Sequence, residues 1–214
     1  MQTIIKNLLR PFYRAFKNYQ LKKKFEYRIS KHKSDGIPLK IVIGSSGKFE
    51  EGWIPSEKHF LDLLDESTWS RYFKENEIDC LLAEHVWEHL TIEEGSRAAL
   101  ICYKYLKSDG WLRLAVPDGY HDNQKYLALV KPGGHGMGSE DHKVLYNYQT
   151  LSSIFQKAGF VVKCLEYFDE KKKFHFNEWA RESGYVRRSI RYDFRNRNGI
   201  TNYTSIILDA VKTS

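Results

Sequence analysis

The chain has 214 residues, with 42% hydrophobic and 29% charged side chains and a formal charge of +7. That is enough for one domain with a sizeable core plus an appendage. No run approaches the roughly 18–20 consecutive apolar residues of a membrane-spanning helix, and the start lacks the apolar h-region of a secretory signal. Cys80, Cys102 and Cys164 are far apart, each in an apolar run. Their odd number and the absence of a CxxC pair predict buried free thiols in a reducing cytoplasm.

The positive charge is concentrated at one end. Residues 1–34 carry ten Lys and Arg against the single acid Glu26, whereas the remaining 180 residues carry 24 basic and 26 acidic side chains. A near-neutral body disfavours a nucleic-acid partner, because phosphate neutralisation needs a broad basic face.

In chain order, Ile4, Leu8, Phe12 and Phe16 recur every four residues, with Lys6, Arg10, Arg14 and Lys17 off the stripe. This predicts a basic amphipathic helix, kinked or divided at Pro11. It packs on the domain, lies on an anionic membrane surface or meets another partner. The segment 1–34 is expected to be separate from a domain over 37–214, with residues 33–36 as linker. Strands are predicted at 38–43, 52–57, 78–83, 111–116, 160–165 and 204–211. Helices are predicted from Ser67 to Asn76, from Thr91 to Lys107 with Glu94 completing a capping box, and over 148–158 with Gly159 at C′. Alternating strands and helices predict an α/β fold with a mostly parallel sheet. Residues 166–203 are polar, Arg-rich and aromatic, as in a functional insertion.

In such sheets ligands bind at the carboxyl ends of the strands. The segment Gly44-Ser45-Ser46-Gly47 follows the first strand and permits close backbone approach. Glu57 is a carboxylate able to accept ribose hydroxyls, and Asp62-Leu63 can border a base. No GxGxxG or P-loop is present. These residues, with Glu84-His85-Val86-Trp87-Glu88-His89-Leu90, Leu106-Lys107-Ser108-Asp109-Gly110, Leu112-Arg113-Leu114-Ala115-Val116-Pro117-Asp118 and the His142–Leu151 segment, resemble the small class I S-adenosylmethionine-dependent methyltransferases over about residues 39–212.

The resemblance implies a Rossmann-like methyltransferase fold, shortened by one unit between Glu57 and Ile78, with S-adenosylmethionine as cofactor. Gly44, Ser45 and Gly47 would face its methionine part, Glu57 its ribose and Asp62 with Leu63 its adenine, while Glu84 and His85 approach the sulfonium. The family's GxGxG loop is Gly-Ser-Ser-Gly here, and its usual Asp is Glu57. A general base is expected among His85, His89 and His142. Asp118, Tyr120, His121 and His135, with Arg187, Arg188 and Arg191, are expected at the acceptor, the arginines suiting an anionic group. The irregular spacing of His135, Asp141 and His142 indicates no metal.

The reading is O-methylation of a small or glycan-linked acceptor by a cytoplasmic protein, peripheral at the inner membrane surface. The alternatives are a cofactor-binding protein without methyl transfer, and a basic membrane- or nucleic-acid-binding module.

Overall fold

A computed structural model describes residues 2–47 and 49–214, with the side chains of residues 2–9 and Asn198 outside the description. The strands are β1 (Lys40–Ile43), β2 (Ile54–Pro55), β3 (Ile78–Glu84), β4 (Leu106–Pro117), β5 (Val161–Phe168), β6 (Phe174–Phe176) and β7 (Ser205–Val211). The helices are α1 (Gln2–Asp35), α2 (Glu66–Ser70), α3 (Ile92–Tyr105), α4 (Gln124–Val130) and α5 (Tyr148–Lys157). Among the described residues the strands form one sheet in the order β2-β1-β3-β4-β7-β5-β6. The pairs from β2 to β4 are parallel, and β7, β5 and β6 add antiparallel edges. The fold is α/β and Rossmann-like, and its sheet is mixed, where a mostly parallel one was expected.

Strand period divides the core in two. Leu81, Ala83, Ile206, Leu208 and Ala210 meet Phe25 and Ile29 of α1, Trp69 of α2, Ala98 and Cys102 of α3 and Phe155 of α5. Cys80, Leu82 and Ile207 point the other way, toward Trp53, Trp179 and Val186. All four of those helices lie on the first face. Among the described residues no helix lies between β1 and β2, whose ten connecting residues are about the shortest link parallel strands accept, and none of these four helices packs on the second face. Residues 177–203 cover it instead. Arg113 reaches into that cover, forking onto Asp209 at 2.7 and 2.8 Å and donating to the carbonyls of Ala180 and Gly184.

The capping box at Thr91 and Glu94 is present, and a second joins Asn147 to Thr150. Gly159 sits at φ +102° against the Tyr103 ring. The shortening between Glu57 and Ile78 is also present, with only the five residues of α2 there, capped by Asp65 where Ser67 was expected. The N-terminal expectation changes most. The helix runs unbroken through Pro11 to Asp35. Phe25 and Ile29 are buried in the domain core, while Phe12, Tyr13, Phe16 and Tyr19 are exposed. Its second half therefore belongs to the domain. Cys80, Cys102 and Cys164 are free.

Candidate active-site cleft

Chain order reverses between β1 and β3, and the carboxyl ends of these two strands form the crevice where this sheet type holds ligands. At the end of β1, Gly44 takes φ +59°, and a Cβ there would meet Val86 Cγ2 at 3.1 Å. The next residue closes the loop: the Ser45 hydroxyl donates to Glu57 Oε1 at 2.9 Å and accepts from the Gly47 amide at 3.2 Å. At the end of β3, the Glu84 carboxylate accepts the Arg188 amide at 3.0 Å and the Arg187 amide at 3.3 Å, with Arg188 Nη1 at 3.4 Å. This contact ties the cover segment to the crevice.

His85 follows with φ +57°, a conformation that costs a non-glycine residue and clusters at functional sites. Its amide donates to the Ala115 carbonyl at 2.8 Å. Nε2 meets the Ser205 hydroxyl at 3.1 Å, and Nδ1 lies 3.0 Å from Glu88 Oε1. Burial, assisted by Arg188, holds the His85 pKa well below the usual imidazole range. Burial pushes Glu88 up to about 7. Neither Glu88 oxygen has a hydrogen-bond partner among the described residues. His142 Nδ1 lies 2.7 Å from the Val130 carbonyl, which can only accept, so Nδ1 carries the proton. His89 Nδ1 lies 2.9 Å from Asp141 Oδ1 without hydrogen-bond alignment.

Two cavities meet at Gly44 and His85. The larger, about 450 Å³, has apolar walls from Ile43, Leu61, Leu63, Val86 and Leu90, with Asp62, Lys58 and His89 at its polar side. The other, about 380 Å³, runs from residues 44–47 past Glu84 to Tyr185, Arg187 and Arg188. The structure thus brings Gly44, Ser45, Gly47, Asp62, Leu63, Glu84, His85, His89, Arg187 and Arg188 to one crevice, with His142 behind it.

Other expected residues lie elsewhere. Glu57 lines a third cavity with Phe25 and Phe60, on the far side of Ser45. Asp118 is fully buried, accepting the amides of Tyr120 and Phe168, and burial raises its pKa to about 6. His121 has no exposure and stacks on Tyr126 at 4.1 Å, so it presents no surface to an acceptor. Tyr120 packs near Tyr148, and Arg191 turns onto Trp179. His135 is exposed on a glycine-rich loop over residues 133–138, its amide held by the Ala128 carbonyl. None of these lines either of the two cavities.

Sequence reasoning noted Glu88 at the turn after the strand and Tyr185 among the arginines, but named neither as a site residue. For Glu88 the signal was a carboxylate one turn beyond a buried strand, between two histidines. For Tyr185 the signal was an aromatic ring set among the arginines of residues 181–197.

The sequence matches no protein-family model and no curated protein. Among solved structures, a S-adenosylmethionine-dependent methyltransferase from Archaeoglobus fulgidus is 16% identical, with 98% of this chain and 93% of that one covered at a TM-score of 0.46. One from Mesorhizobium loti is 8% identical over 81% and 91%, at 0.49. Phosphoethanolamine N-methyltransferase 2 of Haemonchus contortus, solved with S-adenosylmethionine, is 12% identical over 83% and 49%, at 0.44.

Proposed function

We propose that this protein is a S-adenosylmethionine-dependent methyltransferase acting at oxygen on a small or glycan-linked acceptor. The observation that carries the reading is the meeting of two cavities at Gly44 and His85, at the switch point of a Rossmann-like sheet. The donor set fits the cofactor. Leu61 and Leu63 offer an apolar slot with Asp62 beside it, suited to a nucleoside base. The 44–47 loop, with the Glu84 carboxylate across the cavity, suits a zwitterionic amino-acid end. Glu57 acts through Ser45, as a buttress of the loop.

When bound, the cofactor supplies an electrophilic methyl group on a sulfonium. The chain's own residues position the acceptor and move a proton. Tyr185, Arg187 and Arg188 hold an acceptor that carries negative charge, and orientation supplies much of the rate. His89, which lines the larger cavity, is placed to take the hydroxyl proton. Val86 and Leu90 keep water out.

Calorimetric titration with S-adenosylmethionine and S-adenosylhomocysteine tests the reading. One site per chain is expected, weakened about tenfold or more, 1.4 kcal/mol, by Asp62→Ala. Absence of binding to the folded chain would overturn it.

The first half of α1 supports a location at the inner membrane surface. Phe12, Tyr13 and Phe16 are exposed beside Arg10, Arg14 and Lys17, a pairing that suits an anionic interface. No described helix is long and apolar enough to cross a membrane.

A further inference from the structure

We propose that Glu88, His89 and His142 form a binding site for one divalent first-row transition-metal ion. Each offers one ligand atom, and these atoms lie within 4.8 Å of one another. Ligand atoms of a tetrahedral shell at about 2.0–2.2 Å lie about 3.3–3.6 Å apart, so closure on an ion needs about 1–1.5 Å of movement.

Three further observations point the same way. Glu88 has no exposure, and neither oxygen makes an aligned hydrogen bond among the described residues, His85 Nδ1 lying 3.0 Å from Oε1. A buried carboxylate left so is costly, and an ion relieves the cost. His142 is already set as a ligand: its Nδ1–H donates to the Val130 carbonyl, leaving the Nε2 lone pair 4.0 Å from Glu88 Oε1. Protein metal sites orient their imidazoles in this way. The backbone also holds the two arms together, because the Glu88 carbonyl accepts the amides of Lys143 at 2.7 Å and Val144 at 3.2 Å. Asp141 places a second carboxylate beside His89, at 2.9 Å from its Nδ1.

Two histidines and a carboxylate select zinc, iron(II) or manganese over magnesium or calcium, which prefer oxygen shells. Three protein ligands leave positions open, and His89 faces the larger cavity. An acceptor oxygen bound there would be polarised by the ion. This last role rests on the methyltransferase reading, whereas ion binding does not.

Cobalt(II) titration of the full chain, freed of metal by chelation, tests the site through its visible absorption. One ion per chain is expected, displaced by zinc and not by magnesium. Glu88→Gln and His142→Gln should each weaken binding at least about 100-fold, with the fold verified by circular dichroism. His135→Ala should leave binding unchanged. Failure of the folded chain to bind cobalt or zinc at millimolar concentration would overturn the proposal, as would unchanged affinity in Glu88→Gln. It would mean that Glu88 keeps a proton shared with His85 Nδ1 instead. Cofactor titration on the same samples separates the two ideas. Cobalt bound without S-adenosylmethionine leaves the metal site standing and removes the methyltransferase reading.

Discussion

Arg113 carries its charge to a position only 2% exposed, and every nitrogen of its guanidinium finds a partner there. Removing it strands Asp209 and two carbonyls and empties the face of Trp179. Arg113→Ala should therefore cost about 3–5 kcal/mol in urea unfolding, against less than about 1 kcal/mol for an exposed residue such as Arg10. Nearby, Glu166 accepts from Trp179 Nε1 and the Ile190 amide, with Arg191 and Arg113 in range, and burial still raises its pKa from 4.5 to about 7. A raised carboxylate favours the folded state when protonated. That contribution is complete below about pH 4.5 and is lost as pH rises through 7. The urea midpoint should fall between pH 5 and 8, and Glu166→Gln should flatten the slope. A slope identical to that of the parent protein would show that another group sets it.

At the scale of elements, α1 divides by burial although its helix is continuous. Phe25 packs against Phe60 at 4.9 Å and edge-on to Tyr72, so Phe25→Ala should destabilise by about 3–5 kcal/mol. Replacing Phe12, Tyr13 and Phe16 by Ser should leave thermal unfolding unchanged while reducing binding to vesicles of anionic lipid. Equal binding by the triple variant in a sedimentation assay would remove the membrane role. The loop after β1 is sensitive for another reason. Gly44→Ala forces a Cβ into a left-handed conformation and against Val86. It should destabilise by about 1 kcal/mol or more and weaken cofactor binding, read by calorimetry.

For the whole molecule, the two faces of the sheet are unequally covered. The first carries packed helices, and the second is closed by residues 177–203, whose apolar anchors are Trp179 and Val186 with Tyr192 packed partly buried beside them. Local stability follows buried contacts. Amide hydrogen exchange should be faster across 177–203 than in β3, β4 and β7, with the amides of Arg188 and Ile190 protected by Glu84 and Glu166. Uniform protection would mean that the cover folds as one unit with the sheet. Because Arg187 and Arg188 hang from this cover, its opening also opens the smaller cavity.

Local chemistry was legible in the sequence where it is settled by neighbours along the chain. The capping box at Thr91, the left-handed Gly159, the buried run of β3 and the loop at Gly44 each depend on a few adjacent residues. Asp118 and His121 were misplaced because their burial depends on Phe168 and Tyr126 folding over them. Arg191 follows Trp179, which its own neighbours do not announce. The sequence by itself determined the α/β alternation, the basic end and the crevice-forming strand ends, because periodicity and turn chemistry are local, while the shortened unit showed only through the family resemblance. Only the tertiary structure decided that 177–203 replaces a crossover helix and that α1 enters the core. It alone also gathered Glu88, His89 and His142 at one point, because long-range packing sets which distant side chains share a space.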